Sequence, residues 1–312
     1  MKLFFSILAK GSSSIRLLIL LYFGLSILIN QNSMAGQNET QWSKTEHTSV
    51  RLISSISAIA DNKIIKLGLQ FEMKPGWKIY WRSPGDAGYP PNLNWEQSKN
   101  LKKIDFRWPL PARFSVSGIQ TIGYKKEVIF PINAQVINQT QKLELRADLD
   151  YLACNEICIP YKTKLALDIP PGSNANSLSN NQHIINQYIE KIPGDGKASK
   201  MKIVSVTTTD KFFETRGNIR RGFITINATS GYPFTNPDVF IEGPELVFFG
   251  MPKLTLHNNR FAAAFLVPVT EEENAKIIKS SIRLTLKDGE RSAEHTLKVI
   301  QTNRLDPVRK QK

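Results

Sequence analysis

The chain has 312 residues and a formal net charge of +14, with 41 Lys and Arg against 27 Asp and Glu. The basic residues are spread along the whole sequence, without an arginine-rich or zinc-finger pattern. This distribution favours a solvated basic surface and argues against a nucleic-acid partner, while weak attraction to anionic lipid head groups stays open.

The first 35 residues have the order of an export signal. Basic Lys2, Lys10 and Arg16 precede an apolar run of 13 residues, Leu17–Ile29, and small residues flank a cleavage site after Ala35. The run is shorter than the roughly 20 residues that cross a bilayer. We therefore expect a cleaved signal peptide at 1–35 and a periplasmic mature chain, with an uncleaved anchor as the alternative. Such a compartment permits disulfides.

Short runs of alternating apolar and polar residues, separated by turn residues, recur through the rest of the chain. They predict an all-β protein with two tandem β-sandwich domains, at 36–172 and 200–312. The polar stretch 173–199 is the predicted linker. It contains one candidate amphipathic helix, built around Ile184, Ile185, Tyr188 and Ile189.

One region of the first half has a different composition. Gly76–Trp95, "GWKIYWRSPGDAGYPPNLNW", combines five aromatic residues with several prolines and glycines, and Phe106–Phe114, "FRWPLPARF", is similar. Gly76–Trp95 has two interpretations, and both can hold at once. It packs over the end of a sandwich, and it caps a reactive centre.

Known catalytic and cofactor patterns are missing from the sequence. None of the four histidines, His47, His183, His257 and His295, lies in a recognisable motif, and neither a G-x-S-x-G elbow nor a phosphate-binding glycine loop is present. The sequence thus argues against a hydrolase, and we expect no cofactor. A zinc site would require more ligands than two cysteines supply, so metal binding, including Cu(I), is a minor alternative.

The two cysteines, Cys154 and Cys158, lie in "YLACNEICIP" with three residues between them. A structural staple, half of a metal site and a redox pair are the possible roles. Residues four apart can form a disulfide, but a bridge over so short a loop removes little freedom from the unfolded chain. The spacing therefore favours a reactive pair. Glu156 between them offers no stabilisation of a thiolate, so a relay fits better than a strong oxidant.

A family resemblance rests on four ordered motifs between Val50 and Pro171. Together they resemble the N-terminal periplasmic domain of the thiol:disulfide interchange protein DsbD and, more closely, its relative ScsB, the suppressor of copper sensitivity. The motifs are "WKIYWRSPGDAGYPPNLNW", "WPLPARF", "IGYKKEVIFPI" and "DYLACNEICIP".

The resemblance implies an immunoglobulin-like sandwich that carries a redox pair, with Cys154 and Cys158 as the catalytic residues. It implies two partners, a membrane-embedded DsbD/ScsB-like electron donor and periplasmic thioredoxin-like proteins. Full-length relatives continue into a membrane domain and a thioredoxin-like domain, so we expect this chain to take its electrons from a separate membrane protein. Any enzymatic activity would be of the thiol–disulfide oxidoreductase type. The alternative is a binding or assembly module with a structural disulfide.

A relay disulfide has to be shielded from small thiols, because exchange depends on access. We therefore expect Trp77–Trp95 or Phe106–Phe114 to pack over the cysteine pair, with Tyr89 and Trp81 as part of the cover.

Overall fold

The computed structural model describes residues 38–302, except 117, 173–177, 209–213 and 274. The predicted signal peptide, 1–35, lies outside the described residues. The chain divides into two units, 1–37 and 38–312, and all described residues belong to the second. In the described part, no helix is long and apolar enough to cross a membrane.

Two antiparallel sheets form the first half. The first sheet has the order β1-β2-β3-β9-β6, and the second has the order β11-β10-β4-β8-β7 with β5 paired to β10. The strands of the first sheet are β1 (Ser43–Lys44), β2 (Thr48–Ser54), β3 (Ile64–Met73), β6 (Leu101–Phe106) and β9 (Glu127–Val136). Those of the second are β4 (Lys78–Gly85), β5 (Asn92–Asn94), β7 (Ala112–Val116), β8 (Ile119–Lys125), β10 (Leu143–Cys154) and β11 (Cys158–Ile169).

Strand β10 shows why these sheets pack together. Its sequence "LELRADLDYLA" alternates up to Tyr151, and the apolar members other than Leu152 are buried while the polar members face away from the core. Leu145, Leu149 and Tyr151 share one core cluster with Leu69 and Phe71 of the first sheet. The two sheets therefore face each other across a common core, and the opposite face of β10 points outward.

The second half is built around one connected sheet with the order β15-β19-β20-β12-β14-β18-β16, with β13 on β14 and β17 on β18. Its pairs are antiparallel except β12 with β20. The strands are β12 (Met201–Thr208), β13 (Glu214–Arg216), β14 (Ile219–Ser230), β15 (Pro237–Glu242), β16 (Val247–Phe249), β17 (Lys253–His257), β18 (Ala262–Glu272), β19 (Ser281–Asp288) and β20 (Arg291–Gln301). The predicted all-β class is confirmed, whereas the immunoglobulin-like arrangement of each half stays a prediction.

The helix expected in the polar stretch is present as α1 (Asn181–Glu190). Ile185 is fully buried and packs with Ile53 and Ile129 of the first sheet. Gly68 makes this approach possible, since a Cβ there would lie 2.6 Å from the Ile129 side chain and 3.2 Å from Ile185. The helix is therefore fastened to the first half. The domain boundaries remain a prediction.

The two halves also share apolar contacts and ion pairs. Phe240 of β15 belongs to the core cluster of the first half, and its ring lies 5.7 Å from that of Trp81. Next to Trp81, the Arg82 guanidinium binds Glu242 at 2.8 Å and also pairs with Glu294. Trp81 is completely buried and belongs to the core cluster between the two sheets of the first half, so its expected place in a cover over the cysteines was wrong.

Tyr124, a buried tyrosine on β8, should make the free energy of unfolding depend on pH in alkali. The Tyr124 hydroxyl donates to the Pro109 carbonyl at 2.7 Å, and burial raises the pKa of Tyr124 well above its usual value. A raised folded-state pKa means that this contribution is complete below about pH 10 and is lost as the pH rises further. We expect Tyr124→Phe to be about 1 kcal/mol less stable at neutral pH, since a hydrogen bond is lost.

The same variant should lose less free energy of unfolding than the wild type between about pH 8 and about pH 11. Urea denaturation at both pH values measures the difference. The other tyrosines are present in both proteins, so their contributions to the pH dependence cancel. An equal loss in the two proteins would show that Tyr124 does not titrate on unfolding.

Candidate functional site

The two cysteines lie at the tip of a β-hairpin. Cys154 is the last residue of β10, Cys158 is the first of β11, and the two are directly opposite each other in the strand register. They form a disulfide with Cα atoms 4.1 Å apart. The backbone N–H of Asn155 donates to the backbone carbonyl of Ile157 across the three-residue loop. The expectation that the cysteines can pair with each other is confirmed. They join the ends of two paired strands, β10 and β11.

The two sulfur-bearing residues differ in exposure. Cys154 is 1% exposed, while Cys158 belongs to the exposed tip of the hairpin with Ile157. Because Tyr151 and Ala153 point into the core, Cys154 lies on the outward face of the second sheet. An incoming thiolate therefore meets Cys158 first.

A tyrosine from β4 contacts the disulfide. The Tyr80 hydroxyl lies 3.7 Å from Cys158 Sγ and is the donor, since a disulfide sulfur carries no hydrogen. Tyr80 is 2% exposed, and this burial raises its pKa, which keeps the hydroxyl protonated. Gly88 lies against the ring, because a Cβ at that position would be 2.4 Å from the ring carbons.

The loop that contains Gly88 is held at both ends. Asp86 exchanges hydrogen bonds with Gln120 at one end, and the Tyr89 hydroxyl donates to Asp150 of β10 at 3.1 Å. Burial, followed by the bond to the Asp150 carboxylate, raises the pKa of Tyr89. We call residues 86–91 the cover loop. It covers Tyr80, and Tyr80 contacts the disulfide.

The other expected covering segment lies elsewhere. Phe106 stacks on Phe130 in the core of the first half and Trp108 meets Phe130 edge to face, with ring centroids 5.2 Å from that of Phe130 in both cases. The aromatic-rich segments are thus divided. Most of their rings build the core, and Tyr80 alone among them makes a hydrogen bond to a cysteine sulfur within the described residues.

A row of side chains crosses the sheet beside the disulfide. The register pairs Cys158 with Cys154, Cys154 with Lys78 of β4, and Lys78 with Lys125 of β8, so all four residues share the outward face. Lys78 is only 3% exposed. Burial, and then the charge of Lys125, lowers the pKa of Lys78. Sequence reasoning missed Lys78 and Tyr80, because their position depends on the pairing of β4 with β10, and β10 begins 58 residues after β4 ends.

Two further contacts support the base of the hairpin. His47 stacks on Trp77 with ring centroids 3.7 Å apart, and its Nδ1 lies 2.7 Å from the Tyr161 hydroxyl. Gly76 packs on Asn155, since a Cβ there would meet the Asn155 amide at 3.1 Å. Among the described residues, no three His, Cys, Asp or Glu side chains are grouped as metal ligands.

Comparison with known families agrees with this geometry. Residues 49–170, which contain the hairpin, match the model of the family described as "Thiol:disulfide interchange protein DsbD, N-terminal". The first half of the chain is a DsbD N-terminal domain. The expected resemblance is thereby confirmed. Beyond the DsbD N-terminal domain, residues 191–302 match a domain of unknown function, DUF8393. The curated proteins contain no match to the chain.

A solved structure resembles the DsbD N-terminal domain and the second half together. This is the crystal structure of the N-terminal periplasmic domain of ScsB from Proteus mirabilis, with a TM-score of 0.65 and 24% sequence identity. The match covers 85% of this chain and 99% of that one, so it includes both halves. At this identity the likeness shows the fold alone.

Proposed function

We propose that the protein is a thiol–disulfide exchange protein that passes reducing equivalents through Cys154 and Cys158. One observation carries the proposal: a disulfide at the tip of a hairpin in a DsbD N-terminal domain, with Cys158 exposed and Cys154 buried. A bridge over a three-residue loop adds little stability, because it constrains the unfolded chain weakly. Its chemistry is the better reason for its presence.

The reaction follows from the exposure of the two cysteines. A donor thiolate attacks Cys158 Sγ, the S–S bond breaks, and Cys154 leaves as a thiolate. A second donor thiolate then attacks the mixed disulfide and releases Cys158, which leaves the donor oxidised and the pair reduced by two electrons. The same steps in reverse reduce a client disulfide.

We further propose the setting that the family implies. The chain is exported by its 1–35 signal and works in the periplasm, between a membrane-embedded DsbD/ScsB-like donor and thioredoxin-like clients. Both halves, 36–172 and 200–312, are immunoglobulin-like sandwiches joined by 173–199. The ScsB structure, described as an N-terminal periplasmic domain, supports this setting.

A redox titration tests the function. We expect the Cys154–Cys158 pair to equilibrate with glutathione buffers and to have a potential clearly above the roughly −300 mV below which structural disulfides lie. Mass spectrometry after acid quenching and alkylation measures the reduced fraction. A bridge that stays oxidised at every glutathione ratio, in a folded protein, would instead establish the alternative, a binding or assembly module with a structural disulfide.

A further inference from the structure

The row across the second sheet contains a cation without a counter-ion. Lys78 is 3% exposed, and its ammonium has neither a hydrogen-bond acceptor nor an ion-pair partner among the described residues. Its only close charged neighbour in the row is Lys125, which repels it. Lys78 is therefore a cation beside the disulfide with no carboxylate in the described part of the chain to neutralise it.

We propose that Lys78 is the counter-ion of the Cys154 thiolate in the reduced protein, which rests on the exchange function proposed above. Lys78 and Cys154 are directly opposite each other on adjacent antiparallel strands and share the outward face. Side chains in such pairs have Cβ atoms about 4.5–5.5 Å apart, so a lysine reaches the neighbouring sulfur without a change of the backbone. Cys154 is itself 1% exposed, so little water separates the two groups.

This pairing has a role in each direction of exchange. When a donor attacks Cys158, the S–S bond breaks and its electron pair stays on Cys154 Sγ, where the Lys78 ammonium stabilises the negative charge. A leaving thiol of lower pKa leaves faster. When a client forms a mixed disulfide with Cys158, the same ion pair keeps Cys154 deprotonated and ready to attack Cys158 and release the client thiolate.

Other charges on this face are too distant or already bonded to take this role. Asp150, the nearest carboxylate on β10, lies four residues from Cys154, about 13 Å along the strand, and accepts a bond from Tyr89. Lys162 is exposed and opposite Asp150. The remaining groups near the pair are Glu156 in the exposed loop, Tyr80 at Cys158 Sγ, and Lys125 beyond Lys78.

The experiment measures the pKa of Cys154 as the sole thiol of the full chain carrying Cys158→Ser. The ultraviolet absorbance of the thiolate is followed against pH in this background alone and with Lys78→Met, Lys78→Arg or Lys162→Met. We expect Lys78→Met to raise the pKa of Cys154 by about one unit or more, a tenfold change in acidity. Lys78→Arg keeps the charge and Lys162→Met removes an equal charge from the same face, so both should leave that pKa nearly unchanged.

A second readout uses the intact cysteine pair. A stabilised thiolate favours the reduced form, so Lys78→Met should lower the reduction potential at a pH above the pKa of Cys154. Each tenfold change in the equilibrium constant is about 30 mV. If Lys78→Met fails to give a cooperative melting transition, Lys78→Gln is measured in the same way.

Two results would overturn the role of Lys78. One is a Cys154 pKa that does not change in the folded Lys78 variant, and the other is an equal change in Lys162→Met, which would indicate a diffuse field. Neither result depends on a partner. A wild-type protein that resists glutathione refutes the exchange function, whereas normal exchange with an unchanged pKa refutes the role of Lys78 alone.

Discussion

Replacing Cys158 by serine is expected to abolish disulfide exchange, whereas replacing Cys154 is expected to stop the reaction half-way. Cys158 is exposed and Cys154 is 1% exposed, so a partner thiol or disulfide can reach only Cys158. With Cys154→Ser, the Cys158 thiolate still attacks an oxidised partner but no second thiol resolves the product. A stable mixed disulfide accumulates.

The two variants are matched controls for each other. Each loses the same bridge over the same three-residue loop, so their free energies of unfolding should differ little from each other. Any difference in trapping therefore reports the position of the remaining thiol. The reduced variants are incubated with an oxidised thioredoxin-like protein, and the adduct is separated by non-reducing electrophoresis.

Equal trapping by the two variants would contradict the assignment of Cys158 as the attacking residue. Trapping by Cys158→Ser alone would reverse the roles of the two cysteines. An absence of adduct in both variants, under conditions where the wild type reduces the partner, would show that exchange does not pass through these residues.

Much of the fold follows from local alternation. The sequence of strand β10 predicts a half-buried strand, and the structure shows one. Successive side chains of a strand point to opposite faces, so alternating apolar and polar residues give one buried and one outward face. The helix α1 was likewise predictable from its apolar spacing. Such patterns say which face is buried, but they do not say which strand lies alongside.

The composition of the site depends on which strands are neighbours in the sheet. The cysteine pair was predictable because the chain has only two cysteines and they are four residues apart. Tyr80 and Lys78 reach the disulfide through the pairing of β4 with β10, which no local pattern specifies. The alternation within "KIYW" was visible, yet only the register shows that Trp81 faces the core and Tyr80 the outward surface.

The Arg82 network illustrates the same limit. Its partners, Glu242 and Glu294, come from strands of the second half, far away in sequence. Together with the contact between Trp81 and Phe240, this network fastens β4 directly beside Tyr80. The second half thus supports the strand that contacts the disulfide, although sequence alone assigned it no role.

A single methyl group on the cover loop is expected to displace Tyr80 and to open the side of the disulfide that Tyr80 contacts. In Gly88→Ala the new Cβ would lie 2.4 Å from the ring carbons of Tyr80, a residue that is 2% exposed. The backbone φ of Gly88 is +99°, which an L residue adopts only with strain. Both effects raise the free energy of the closed loop by about 1–3 kcal/mol. We expect reduction of the disulfide by a small thiol to become roughly five- to 150-fold faster.

Gly289→Ala is the matched control for Gly88→Ala. Gly289 also has a positive φ, +63°, but a Cβ there meets no described atom within 4 Å, and it lies in the β19–β20 turn of the second half. It introduces backbone strain without a collision and without contact to the disulfide. The rate of reduction by a small thiol, measured by quenching and alkylation, should stay at the wild-type value in this variant. If Gly88→Ala remains folded and is also reduced at the wild-type rate, the cover loop does not limit access, and Cys158 is open to any thiol in solution.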